Sequence, residues 1–174
     1  MTRYFLCTLI LLMNVTAASA QNAPKQLYNK TVVIQWGESL QQRRPPNERI
    51  FNSQITAVRT AYVSNAGRVF IRATRSNKSG GRKDEGTPDT RAPGSLVFQG
   101  NTMVGTAAFE GGARQTRITF DPSFTSCTAN VVYGKTGSGP IRWKSWDGNT
   151  YETIEANINA VSCSIKDGNP FAGE

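Results

Sequence analysis

The 174-residue chain carries 20 Lys and Arg against 12 Asp and Glu, three Cys and no His. Without imidazole there is no Ser-His-Asp or Cys-His nucleophile, no His-liganded zinc and no His-ligated haem. A formal charge of +8 speaks of anionic partners rather than of a particular fold.

Residues 1–20 have Arg3 near the start, an apolar run from Tyr4 to Met13, and Ala18-Ser19-Ala20. That is the tripartite pattern of a secretory leader with cleavage expected after Ala20. The apolar run is shorter than the roughly 20 residues a membrane span needs, so no transmembrane anchor is expected after cleavage. Cys7 lies too far before the cleavage site to become a lipidated first residue. Arg3 is the only charge lost with the leader, which leaves 19 basic against 12 acidic residues, a charge of +7, and 154 of the 174 residues. At that length one domain over 21–174 is expected, secreted or periplasmic, burying about 70% of its unfolded surface.

The first predicted strand is Thr31 to Trp36, ending at Gly37. The stretch Gln41-Gln42-Arg43-Arg44-Pro45-Pro46 is read as outside both the core and any central strand. Ile55 to Val63 and Arg68 to Thr74 form a predicted hairpin through Ser64-Asn65-Ala66-Gly67, a turn in which Asn and Gly tolerate positive φ. Phe51, Ile55, Val58 and Tyr62 also fall at helical spacing, but the Ile, Val, Thr and Tyr content favours strand. Residues 75–93, rich in Gly, Pro and charge, read as an exposed loop.

Further strands are expected at Leu96 to Phe98, Thr102 to Phe109 and Arg114 to Phe120, separated by turns at Gly100-Asn101 and Glu110-Gly111-Gly112. Cys127, Ala129, Val131 and Tyr133 share one parity, as do Val161, Cys163 and Ile165. Both cysteines therefore sit on the apolar faces of late strands, and in an oxidising compartment they are expected to form one interior disulfide. With Ile141 to Trp143 and Tyr151 to Ile158 added, the fold class is all-β: a single antiparallel β-barrel or a two-layer β-sandwich of about eight to ten short strands.

Ala129 to Thr136 satisfies the loose P-loop pattern, a small residue, four spacers and Gly-Lys-Thr. Val131-Val132-Tyr133 favours strand, however, and Gly137-Ser138-Gly139-Pro140 cannot open the helix that phosphate binding requires, so nucleotide binding is not expected. Asp147, Glu152 and Glu155, beside Trp143, Trp146 and Tyr151, are the best carboxylates for glycoside hydrolysis. Glu152 and Glu155 are three apart, which on a regular strand puts them on opposite faces.

Arg142-Trp143-Lys144-Ser145-Trp146 alternates cations with indoles, a pattern suited to sugar rings bearing carboxylates or phosphates. Arg43, Arg44 and Arg49 make one basic cluster, and Arg72, Arg75, Lys78, Arg82 and Lys83 a second. The expected binding residues are Arg43, Arg44, Arg82, Lys83, Arg142, Trp143, Lys144 and Trp146, with no catalytic residue, no metal and no cofactor. The expected function is non-enzymatic binding of an anionic envelope or extracellular glycan by a monomer that does not bind nucleic acid. The alternatives are a carboxylate-dependent glycan hydrolase and a carrier of a small apolar ligand in a barrel lumen.

Overall fold

The computed structural model describes residues 23–77, 82–85, 96–144 and 148–172, with 82–85 described by backbone alone. Residues 1–22, 78–81, 86–95, 145–147 and 173–174, with Trp146 and Asp147 among them, lie outside the described residues. After a short 3-10 turn (Lys25–Leu27) come ten strands: β1 (Lys30–Arg44), β2 (Asn47–Val63), β3 (Val69–Asn77), β4 (Arg82–Glu85), β5 (Leu96–Gln99), β6 (Thr102–Phe109), β7 (Gly112–Phe120), β8 (Cys127–Lys135), β9 (Ile141–Lys144) and β10 (Thr150–Asp167). Among the described residues no helix is long and apolar enough to cross a membrane.

All pairings are antiparallel and form two sheets, β4-β3-β2-β1-β10-β9 and β5-β6-β7-β8. The sheets are layered as an open sandwich. Four strand steps separate β3 from β9, about 19 Å in a flat sheet. Yet the Arg75 guanidinium of β3 lies 5.8 Å from the centre of the Trp143 ring of β9. The larger sheet therefore coils strongly around the smaller one, as twisted antiparallel strands do.

Alternation along β1 turns Val32, Ile34, Trp36, Glu38, Leu40 and Gln42 inward, all buried. Val32, Ile34 and Trp36 share a core cluster with Met103, Ile118, Phe120 and Val131 of the second sheet. β1 does not end at Gly37. It runs on through Gln41 to Arg44 between β2 and β10, so this polar stretch is a central strand after all. It is tolerated there because Gln42 is satisfied: its amide donates to Thr153 Oγ1 at 3.3 Å and accepts from Ser53 Oγ at 2.6 Å. Residues 75–93 are likewise not one loop, since Arg75 to Asn77 belong to β3 and Arg82–Glu85 pairs with it as β4. Ala129 to Lys135 lie in β8, as strand chemistry requires.

Two seams join the layers. Cys127 of β8 is bonded to Cys163 of β10, with Cα atoms 5.6 Å apart. At the other seam the Arg142 amide of β9 donates to the Glu110 carbonyl beside β6 at 2.8 Å. Gly111 has φ +78°, and a Cβ there would stand 2.7 Å from the Pro140 carbonyl, so only glycine fits this crossing.

The disulfide closes a loop with a sequence separation of 36. Replacing both cysteines by Ala is expected to lower the unfolding free energy by about 4 kcal/mol, measured by urea denaturation. A loss below about 1 kcal/mol would mean that packing alone holds the layers.

Candidate functional site

β10 is irregular, and the site depends on it. Gln41 pairs with Glu155 and Gln42 with Thr153, leaving Ile154 as an extra residue. Lys135 Nζ donates to the Ile154 carbonyl at 3.0 Å, taking up a group at the interruption of the ladder. The bulge reverses parity, so Glu152 and Glu155 share the outer face with Arg43 and Gln41, contrary to the reading from a regular strand. They remain unsuited as a catalytic pair. Glu155 is exposed and accepts from Asn157, whereas Glu152 is buried between two arginines.

That arrangement is a clamp spanning three strands. Glu152 Oε1 accepts from Arg142 Nε at 2.7 Å and Oε2 from Arg43 Nε at 2.5 Å. Arg142 first, then Arg43, holds the Glu152 carboxyl below the usual carboxylate range. Arg43 also reaches Glu48, and Arg142 Nη1 reaches Glu110 Oε1 at 3.0 Å. Arg44 Nη2 donates to Asn149 Oδ1 at 2.6 Å. Arg43, Arg44 and Arg142, distant in sequence, thus converge where the end of β1 meets the start of β10.

On the inner side of the same edge, Trp143 stacks on Tyr151 at 5.1 Å and donates to Thr153 Oγ1 at 3.1 Å. Arg75 lies against the same indole. These groups and their neighbours form a pocket of about 370 Å³ at the open end of the sandwich, lined by Arg75, Phe109, Glu110, Arg142, Trp143, Lys144 and Thr150 among others. Arg142 stands at its rim and belongs to the clamp as well. Lys144, paired in register with Thr150, is exposed.

Deeper in, Arg75 is fixed by Glu38, whose carboxylate is fully buried. Glu38 also accepts from Trp36 Nε1 at 2.8 Å and from Arg114 Nη1 of β7 at 3.3 Å. Arg114 lies 5.4 Å from the Trp36 ring and 5.9 Å from Phe109. Tyr133, stacked on Phe109, borders this cluster, and burial followed by the Glu38 charge pushes its phenol up.

Of the residues expected from sequence, Arg142, Trp143 and Lys144 lie at the pocket, and Arg43 and Arg44 adjoin it through Glu152 and Asn149. The backbones of Arg82 and Lys83 pair with Ser76 and Arg75. Trp146 lies outside the described residues. Glu38, Arg114, Phe109 and Glu110 were not anticipated. A signal for Glu38 was present: it shares parity with Val32, Ile34, Trp36 and Leu40. A charge on an apolar stripe marks a buried partner.

Comparison with known proteins returns no match: no family model, no curated protein and no solved structure resembles the chain.

Glu38→Gln removes the carboxylate that Arg75 and Arg114 share and is expected to cost about 3–5 kcal/mol. Gln41→Ala on the exposed face should stay within about 0.5 kcal/mol in the same denaturation experiment. Glu152 makes a prediction about acid. Its folded pKa is depressed, so its contribution is complete above the ordinary Glu value and fades as pH falls through the folded one. The wild type should therefore lose Tm more steeply below about pH 4.5 than Glu152→Gln does; parallel Tm curves would show that the clamp adds nothing.

Proposed function

We propose that this is an exported, non-enzymatic binding protein for an anionic extracellular or envelope glycan, held at the β9 edge. The observation that carries the reading is the pocket of about 370 Å³ in which Arg142 and Lys144 stand beside Trp143, Arg75 and Phe109. Cations placed against aromatic rings suit a ligand that is both ring-like and acidic. The leader pattern of residues 1–20 and the disulfide support an oxidising, extracytoplasmic setting. Charge of both signs at the rim favours selectivity over indiscriminate adhesion, since Glu110 and Glu152 already engage Arg142.

The two alternatives draw less support. In a hydrolase Glu152 would have to exchange protons or attack, but two arginines hold it ionised and occupied. In an apolar carrier the space between the layers would be a lumen. Here Trp36, Met103, Ile118 and Phe120 fill it, with Glu38 and Arg114 beside them.

The reading predicts retention on an acidic polysaccharide column that weakens as salt rises. Lys144→Glu should elute at clearly lower salt than the wild type. Lys166→Glu on β10 makes the same change of net charge away from the pocket and should elute close to the wild type. Equal losses in the two variants would reduce the effect to net charge and sink the proposal.

A further inference from the structure

The outer face of the larger sheet continues from the clamp as a polar strip whose one charge beyond the clamp, among the described residues, is Glu155. Gly37, Ser39, Gln41 and Arg43 face outward along β1. Their register partners are Thr56, Gln54 and Asn52 on β2 for the first three, and Asn159, Asn157, Glu155 and Glu152 on β10 for all four. From Arg43 to Gly37 the strip spans six residues, about 20 Å at strand rise, longer than a disaccharide.

At its far end lies a depression of about 270 Å³, lined by Gly37, Ser39, Gln54, Thr56, Ser76 and Asn159 among others. A second irregularity in β10 shapes it. Between Gln35 and Gly37 the partner strand gains one residue, and Ala160 takes φ +48°. Asn159 is thereby placed over Gly37, where any Cβ would come within 2.2 Å of its Oδ1. A side chain at position 37 would push the Asn159 amide away from this position. Asn159 Nδ2 is in turn 3.4 Å from Ser39 Oγ.

Among the described residues the side chains of Gln54, Thr56 and Ser76 make no hydrogen bond within the protein. Glu38 borders the depression, but its carboxylate turns to the opposite face of the sheet. Among the described residues, then, the depression offers amides and hydroxyls, each able to donate and accept, and no charged group. That chemistry complements sugar hydroxyls better than phosphate or ammonium groups. A third of the way along the strip from Arg43, Glu155 stands opposite Gln41, disfavouring a second acid group there.

We infer that the glycan is held as an extended chain, its acid group at Arg142 and Lys144 and neutral sugars running past Arg43 along β1 to the depression at Gly37. The inference rests on the proposed function and adds the ligand's length and charge spacing. An acid on every sugar would meet Glu155, whereas a sparsely acidic chain would not.

Hyaluronan oligosaccharides, acidic on alternate sugars, provide the probe, with affinities measured by calorimetry. The wild type should bind the octasaccharide at least about tenfold more tightly than the disaccharide. Gln54→Leu with Thr56→Val removes two hydrogen-bonding side chains from exposed positions without altering charge. It should weaken octasaccharide binding about tenfold while leaving disaccharide affinity and the salt slope unchanged. Wild-type-like octasaccharide affinity in this variant, with Lys144→Glu still impaired, would overturn the extended mode and leave the β9 site standing. Absence of binding of either oligosaccharide to the wild type would overturn both.

Discussion

The carboxylate of Glu38 is carried into the middle of the molecule, where it receives hydrogen bonds from Trp36 beside it on β1, from Arg75 on β3 and from Arg114 on β7. Arg114 belongs to the opposite sheet, so this acid ties the layers together as well as neutralising charge. A buried acid is tolerable only with such partners, and each partner becomes costly to bury if the acid is lost. The open end of the sandwich inherits its geometry from this cluster. Arg75 is fixed by Glu38 and lies against Trp143, Trp143 stacks on Tyr151, and Phe51 meets Tyr151 edge-on at 6.1 Å.

Around that fixed interior, β10 departs twice from regular pairing with β1, and each departure serves a different end of the outer face. One bulge turns Glu152 toward Arg43 and Arg142, gathering cations from strands remote in sequence. The other brings Asn159 over Gly37 and hollows the sheet surface. A strictly regular β10 would shift the parity of its side chains and dissolve both features. The disulfide from β8 to β10 holds this strand against the second sheet, so a bond far from the pocket in sequence maintains the strand that shapes it.

Much of the fold was legible because period-two alternation and turn chemistry are local. The turn at Ser64 to Gly67, the strand run from Leu96 to Phe120 and the inward parity of Cys127 and Cys163 all follow from neighbours in sequence. The layers were not legible to the same degree. Sandwich and barrel share strand patterns, and what separates them here is the coiling of one sheet about another. The extension of β1 through Arg44 was hidden because Gln41 to Arg44 are polar, and their satisfaction depends on Ser53, Thr153 and Glu152. A one-residue bulge at Ile154 leaves no mark in composition, so the shared face of Glu152 and Glu155 could not be foreseen. The site was half visible: Arg142, Trp143 and Lys144 stand together in the sequence, whereas Arg75 and Phe109 reach them only through the fold.

The most direct measurement is amide chemical-shift mapping of the labelled protein during titration with an acidic octasaccharide. Shifts should concentrate on Ile141 to Lys144 and Thr150, and extend along the outward residues of β1 from Arg43 to Gly37. The outer face of β7 and β8, around Arg117 and Val132, should stay unperturbed. Shifts centred on that second sheet, or spread evenly over every exposed lysine and arginine, would contradict a built glycan site at the β9 edge.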